Sequence, residues 1–312
     1  MADTSHNLIS VIICTHNRAD YARRALKSLT RQSLPQSAFE VLLIDNASTD
    51  DTSRLASEFA QSLPNLRYSV EPTLGLSHAR NRGVSEARGM AVAFLDDDAV
   101  AAPTWLAALA WAFNSLDDDV ALVSGRVFGI WEAARPEWLS DAISRHLSLL
   151  DLGDKPLRLS APELVGANMA FRAAPLRSIG LFPANLGRKG TNLMSGEEIA
   201  VAFALLDRGY GAYYVPEALA YHQVTAARLQ RTWLMQRAYW EGVSAAALWK
   251  LRRSRSRLGR ITHFAASAAR WLRTFLRYTA GLVIYRSGHS ERLTRRCGVL
   301  GRTGYLLGLL HV

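Results

Sequence analysis

Residues 90–98 read Met90-Ala91-Val92-Ala93-Phe94-Leu95-Asp96-Asp97-Asp98, six apolar residues that run into three carboxylates. A short, uninterrupted apolar run bounded by polar residues predicts a strand buried on both faces, as in a parallel sheet. Its carboxylates sit at its C-terminal end, the edge at which open α/β sheets present ligands. Outward from this stretch, residues 8–14, 41–44, 66–70 and 120–124 repeat the apolar pattern, with helical stretches between them. Tyr21, Ala22, Ala25, Leu26 and Leu29 mark one helical face between the first two, and Asn17 with Asp20 predicts that helix's start. Strand and helix thus alternate over the first 125 residues, which predicts an α/β fold with a mostly parallel sheet flanked by helices. Further along, residues 164–171 read as a strand, 197–208 as a helix stopped by Gly209, and 210–215 as a strand stopped by Pro216. The glycine-bearing loop 183–195 between them is expected to move.

With 312 residues, 49% of them hydrophobic and 21% charged, the chain is of ordinary globular composition, which excludes collagen-like, coiled-coil and wholly disordered classes. Cys14 and Cys297 are far apart and form neither a zinc cluster nor a CxxC pair, so a reducing compartment is expected. The N-terminal MADTSHN carries no signal-peptide pattern. The net charge of +10 is unevenly distributed: residues 1–224 hold 20 Lys+Arg against 25 Asp+Glu, and residues 225–312 hold 17 against 2. A mildly acidic domain over 1–224, with halves 1–125 and 126–224, is therefore expected to precede a basic helical extension over 225–312.

Within the extension, residues 261–285 hold the longest apolar run, and Arg270, Arg273 and Arg277 interrupt it. At 100° per residue these arginines share one face of a helix, while Phe264, Ala268, Trp271, Leu272, Phe275 and Leu282 share the opposite one. Such a helix either packs on a domain with its arginines in solvent or lies in an anionic membrane interface. No nucleic-acid partner is expected, because the aromatic residues sit opposite the basic face and no zinc-finger or RNP-type signature is present.

Alternate carboxylates leaving a strand end can converge on a divalent cation. The triplet alone is weak, since Asp117-Asp118-Asp119 repeats it and reads as a solvated loop. In order along the chain, however, Ser10-Val11-Ile12-Ile13-Cys14-Thr15-His16-Asn17-Arg18, Leu43-Ile44-Asp45-Asn46-Ala47-Ser48-Thr49-Asp50, Gly75-Leu76-Ser77-His78-Ala79-Arg80-Asn81-Arg82-Gly83, Phe94-Leu95-Asp96-Asp97-Asp98, Gly166-Ala167-Asn168-Met169-Ala170-Phe171 and Gly196-Glu197-Glu198 together resemble the GT-A-fold glycosyltransferases of family 2. The resemblance spans about 220 residues and leaves the basic extension outside it. It implies a Rossmann-like GT-A domain acting as a metal-dependent, inverting transferase that moves a sugar from a nucleotide diphosphate.

Carried over by position, the resemblance implies that Thr15, Asn17 and Arg18 border the nucleotide, and that Asp45 accepts a hydrogen bond from the base. Arg80 is then aimed at the diphosphate, Asp96 and Asp97 are on the donor side, and Asp96, Asp98 and His222 hold Mn2+ or Mg2+. Gly166, Ala167 and Asn168 lie on the acceptor side, and Trp131 and Trp138 border the acceptor or pack in the core. An inverting transfer needs a carboxylate to take the acceptor proton. Glu197 and Glu198 are the candidates, with Glu198 preferred because it stands where the family carries Asp. Each also has a local alternative: Asn17 caps a helix, Asp45 starts a turn, Arg80 is a surface arginine of its helix, and Glu197 and Glu198 complement a helix N-terminus.

A UDP-sugar donor is expected, together with a saccharide or polyprenyl-diphosphate-linked saccharide acceptor in cell-surface polysaccharide biosynthesis. The basic extension leads to an expected site of action in the cytoplasm, peripheral on the inner face of the cytoplasmic membrane. Two rivals are a nucleotidyltransferase, which calls for a glycine-rich loop where Thr15-His16-Asn17-Arg18 stands, and a non-catalytic nucleic-acid- or lipid-binding protein, which leaves the carboxylates unexplained.

Overall fold

The computed structural model describes residues 8–190, 192–252, 257–284 and 289–311. In chain order the elements are β1 Ile9–Thr15, α1 Ala19–Leu29, β2 Phe39–Asp45, α2 Leu55–Phe59, β3 Leu66–Val70, α3 Leu76–Glu86, β4 Ala91–Leu95, β5 Ala99–Ala101, α4 Trp105–Ser115, β6 Val120–Trp131, α5 Asp141–Ser144, β7 Leu157–Leu159, β8 Asn168–Arg172, α6 Ala173–Ser178, α7 Glu197–Leu206, β9 Gly211–Val224, α8 Arg231–Arg252, α9 Arg257–Ile284 and α10 His289–His311.

Among the described residues the strands form one sheet in the order β3-β2-β1-β4-β8-β6-β9-β5, with β7 against β9. The pairs among β1 to β4 are parallel, and β8 pairs antiparallel with both β4 and β6. Period-2 alternation sorts the strand side chains into two buried layers. Ile9, Val11 and Ile13 of β1, Val41 and Leu43 of β2, and Ala93 and Leu95 of β4 join the faces of α1 and α4. Their alternates Ile12, Leu42, Ile44, Val92 and Phe94 join Val84 next to α3's Ala79, Val201 of α7, and Met169 and Phe171 of β8. The sheet is thus covered on both faces, as its apolar runs require, and the mostly parallel, helix-flanked GT-A architecture is present.

Several local expectations change. α1 is capped from a distance: its first residue Ala19 donates its N–H to Asp50 Oδ2 at 2.9 Å, while Asn17, at φ +53°, spans to the neighbouring loop. Residues 164–167 precede β8 instead of belonging to it. β9 does not stop at Pro216 but runs on to Val224, which carries His222 to the sheet edge. Gly209 does end α7, with φ +85° and its N–H on the Leu206 carbonyl. Asp117 and Asp119 pair with Arg158 at the surface, as solvated residues do.

The chain divides into two compact units. The first comprises residues 1–130, 148–185 and 197–223, and the second residues 131–147, 186–196 and 224–312. In the second, α8 and α10 pack with their backbones nearly touching: a Cβ added at Gly242 would stand 1.8 Å from the Gly301 carbonyl oxygen, and one at Gly304 would stand 2.0 Å from that of Tyr239. The C-terminal part of the glycine-bearing loop is pinned within this unit. Arg237 donates to the Leu193 carbonyl at 2.9 Å, and Ser244 Oγ accepts the Ser195 N–H at 3.0 Å. α9 carries the amphipathic sequence, with Trp271 bonded to Thr303 at 2.9 Å. Leu272 and Phe275 of the expected apolar face are exposed, and the Leu282 side chain and Tyr285 lie outside what is described. Among the described residues no helix is long and apolar enough to cross a membrane.

Candidate active site

The site is assembled where parallel strands end together. Register pairs Thr15 with Asp45 at the ends of β1 and β2, and β4 ends beside them at Leu95, immediately before Asp96. Each strand end therefore delivers polar side chains to the same sheet edge, although the strands themselves are apolar.

The β1 end grips the acidic triplet. Thr15 donates its hydroxyl to Asp97 Oδ2 at 2.8 Å, and Arg18 reaches Asp97 Oδ1 at 2.7 Å and Asp98 Oδ2 at 2.9 Å. The Arg18 guanidinium also lies 4.6 Å from the centre of the Tyr21 ring. Burial, with repulsion from Asp98 and Asp96, pushes the Asp97 carboxyl up against the pull of Arg18 and Thr15. Two buried carboxylates, Asp97 and Asp98, are thus held by the one arginine Arg18, an arrangement that leaves room for another positive charge.

The β2 end organises the adjoining loops. Asp45 accepts the Ser48 N–H at 2.8 Å and the Tyr68 hydroxyl at 2.6 Å, so the turn reading of Asp45 holds, and an ionised carboxylate keeps acceptor capacity beyond these two. Asn17 Oδ1 accepts the Thr49 N–H at 2.7 Å. Asn46 is the residue that sequence reasoning missed. Its side chain donates to the carbonyls of Glu71 and Thr73 and accepts the Gly75 N–H at 2.8 Å, while its own carbonyl meets His16 Nδ1 at 2.7 Å. A short amide directly after a carboxylate, Asp45-Asn46, at the end of an apolar run was the available signal.

Asp96, Asp98 and His222 form a cluster in which each offers one ligand atom, all within 4.8 Å of one another. The antiparallel pairing of β5 with β9 sets Ala99 opposite His222, which brings the imidazole Nε2 to 3.2 Å from Asp98 Oδ1. The Gln223 N–H donates to the Asp98 carbonyl at 2.8 Å and fixes that register. Two hard carboxylates and one imidazole at this spacing fit a divalent cation such as Mn2+ or Mg2+.

Arg80 is neither a surface arginine nor a cation exposed to solvent. Its side chain is 2% exposed, with Nη1 at 2.6 Å from Glu197 Oε1 and Nη2 at 3.3 Å from Asp96 Oδ1. The rings of Phe94 and Phe182 lie 5.7 and 5.6 Å away. Gly166 makes room for it, since a Cβ there would stand 2.5 Å from Arg80 Nη2. Burial, with the adjacent Glu198, pushes the Glu197 carboxyl up while Arg80 pulls it down. Glu197 is buried and Glu198 is half-buried; Oε2 of each is a buried atom with no hydrogen-bond partner.

The acceptor-side expectations divide. Asn168 is fully buried, and its amide accepts from Trp105 Nε1 at 2.8 Å and donates to the carbonyls of Arg126 and Ala218. It is a strut tying β8 to its neighbours rather than a side chain open to an acceptor. Ala167 is likewise fully buried. Trp131 and Trp138 belong to the second unit, each half-buried, with Arg135 and Arg231 near the respective rings.

Residues 10–180 match the sequence family described as "Glycosyl transferase family 2". Two proteins of Haloferax volcanii are similar over most of their length. The glucosyl-dolichyl phosphate glucuronosyltransferase is 24% identical over 76% of this chain and 75% of its own. Glycosyltransferase AglE is 27% identical over 78% of this chain and 80% of its own. In three dimensions the chain resembles a mannosyltransferase of Pyrobaculum calidifontis solved in complex with GDP-Man and Mn2+, with a TM-score of 0.63 and 22% identity over 96% of this chain and 86% of that one.

Proposed function

The chain belongs to glycosyl transferase family 2, and from that premise we propose that it is an inverting, divalent-metal-dependent transferase that moves a sugar from UDP to a polyprenyl-diphosphate-linked saccharide in cell-surface polysaccharide biosynthesis. The observation that carries this reading is the convergence, at one sheet edge, of the Asp96-Asp98-His222 cluster with the Arg80–Glu197 pair and the neighbouring Glu198. A non-catalytic binding protein leaves this combination unexplained, and a nucleotidyltransferase calls for a glycine-rich loop where Thr15-His16-Asn17-Arg18 stands. The similar glucosyl-dolichyl phosphate glucuronosyltransferase, named for a dolichyl phosphate-linked sugar, supports a lipid-linked acceptor here. Arg270, Arg273 and Arg277 on α9 support work at an anionic membrane surface on the cytoplasmic side.

In this mechanism Asp45, Thr15, Asn17 and Arg18 border the nucleotide, with Asp45 accepting from the uracil ring. Asp96, Asp98 and His222 would hold the cation, which supplies charge neutralisation at the leaving diphosphate. Glu198 takes the proton of the acceptor hydroxyl as its oxygen attacks the anomeric carbon from the side opposite the diphosphate. The new carbon–oxygen bond forms as the bond to the β-phosphate oxygen breaks, and UDP leaves with that electron pair. Glu197 is engaged by Arg80 and orients this acidic segment instead of taking the proton. Arg80, 2% exposed and paired with both carboxylates, acts on the donor side by positioning Asp96 against Glu197 instead of by contacting the diphosphate itself.

The reading is tested by incubating the protein with UDP-sugars and a short polyprenyl-diphosphate-linked saccharide, then determining the anomeric configuration of the product by NMR. Inverted product formed by the wild type and not by Glu198→Gln is expected. Retained configuration, or transfer undiminished in that variant, overturns the mechanism.

A further inference from the structure

Three helices of the second unit enclose a cleft that the transfer chemistry does not use. A cavity of about 280 Å³ is lined by Ala245 of α8, Ser267 and Arg270 of α9, and Arg302 and Tyr305 of α10. A second hollow of about 340 Å³ shares Ala245 and Tyr305 and adds Leu248, Trp249 and His263. The two differ in chemistry. At the first, Arg270 and Arg302 are exposed, and neither pairs with a carboxylate among the described residues; Arg270 donates only to Ser267 Oγ, at 2.7 Å. At the second, His263 stacks on Trp249 at 3.9 Å and shares a hydrogen bond of 2.7 Å with the Tyr305 hydroxyl, which makes an aromatic wall.

We propose that this cleft binds the phosphate headgroup of an anionic membrane lipid, with Arg270 and Arg302 donating to the phosphate oxygens and the Trp249–His263–Tyr305 wall covering the adjoining part of the lipid. Guanidinium groups that face one cavity without an acidic partner suit phosphate, whose oxygens match their fork of donors. The surrounding charge points the same way. Residues 225–312 hold 17 Lys+Arg against 2 Asp+Glu, and burial together with Arg260 pushes the Lys250 ammonium down.

Free phosphate would satisfy the arginines equally, but the outer surface of the same helices favours a bilayer as the source. Ile261, Leu272 and Leu276 of α9 and Leu310 of α10 are each at least half exposed. Arg273 and Arg277 lie beside the α9 residues without a carboxylate partner among the described residues. An apolar stripe bordered by arginines is the arrangement of a helix lying in a lipid interface, where apolar burial and attraction to anionic headgroups act together. The headgroup site deepens the membrane part of the function proposed above, and it is independent of the sugar-transfer assignments.

The test is calorimetric titration of the full chain with dihexanoyl phosphatidylglycerol below its micelle concentration, and separately with inorganic phosphate. The variants are the cleft pair Arg270→Ala/Arg302→Ala and the outer pair Arg273→Ala/Arg277→Ala, which remove equal charge. Saturable binding of the lipid at one site is expected, weakened by about 10-fold or more in the cleft pair and little changed in the outer pair. UDP binding is expected to be unchanged in both, which separates failure of this site from failure of the transferase reading. Equal weakening by the two pairs overturns the cleft in favour of general surface charge. Inorganic phosphate binding as tightly as the lipid overturns the bilayer as the source, and no binding of either ligand overturns the proposal entirely.

Discussion

Replacing Arg80 with Met tests the buried bridge that joins the acidic triplet to the Glu197-Glu198 segment. The substitution nearly conserves volume between Phe94 and Phe182, so its cost is chiefly electrostatic. Arg80 and Glu197 are 2% and 4% exposed at a separation of 2.6 Å. Removing one partner of such a buried pair costs about 3–5 kcal/mol, against about 0–1 kcal/mol for a solvated pair. The cost must depend on pH. Burial and Glu198 already push the Glu197 carboxyl up, and only Arg80 opposes them strongly, so without Arg80 it moves higher still. A carboxyl whose folded value lies above its unfolded one stabilises the fold when protonated and loses that contribution as pH rises through the folded value. The variant's deficit against the wild type therefore opens as pH rises between their two folded values, by up to about 1.4 kcal/mol per pH unit. Urea unfolding of both proteins at pH 6 and pH 9 measures it, and Arg80→Met/Glu197→Gln closes the double-mutant cycle with an expected coupling of about 2 kcal/mol or more. A loss below about 1 kcal/mol that is the same at both pH values would refute the reasoning.

Glu198→Gln is expected to lower kcat by about 100-fold or more with KM nearly unchanged, as removal of a general base does, whereas Glu197→Gln lowers stability as well; steady-state kinetics with thermal unfolding separates the two. Glu40 is a buried carboxyl that burial pushes up, but hydrogen bonds from the Ser10 hydroxyl, the Arg88 N–H and Arg67 outweigh burial and hold it below its ordinary value. Its contribution is present above the unfolded carboxyl range and lost as pH falls through the folded value, so Glu40→Gln should cost about 1–3 kcal/mol at pH 7 and progressively less toward pH 3, read by chemical denaturation across pH. In α10, Gly304→Ala drives a Cβ to 2.0 Å from the Tyr239 carbonyl oxygen, a backbone atom that cannot swing away, while the same change at Gly298 meets nothing within 4 Å. The first should cost about 1–3 kcal/mol or more and the second should be neutral or slightly stabilising in far-UV thermal melts, and equal effects would contradict the close crossing of α8 and α10.

What the sequence made legible follows from periodicity and from order along the chain. Buried parallel strands leave an uninterrupted apolar signature, so β1, β2 and β4 stand close to where the apolar runs predict them, while the half-buried β3 is marked only by its alternation of apolar Leu66, Tyr68 and Val70 with polar Arg67 and Ser69. The carboxylates after β4 announce their edge because polar residues at such a position have little packing role. His222 and its partner Asp98 were visible by resemblance, yet the geometry that joins them was not, since the strand carrying His222 crosses Pro216 and its register against β5 is a long-range property. Arg80 shows the same limit: helical spacing marks an arginine on α3, but only the fold brings Glu197, 117 residues later, to its guanidinium. Asn168 erred in the opposite direction, because a motif position says nothing about whether an amide is already saturated by Trp105 and two carbonyls. The basic extension looked separable by charge, but packing joins residues 131–147 and 186–196 to it, contacts that no local pattern encodes.

The central claim, a metal-dependent nucleotide diphosphate site built on Asp96, Asp98 and His222, is tested most directly by calorimetric titration of UDP, dTDP and GDP into the protein with Mn2+ and with EDTA, alongside Asp98→Ala. The account predicts binding of UDP that requires Mn2+ and disappears in the variant. Binding that persists in EDTA or survives Asp98→Ala, or the absence of binding by all three nucleotides with Mn2+ present, would contradict it.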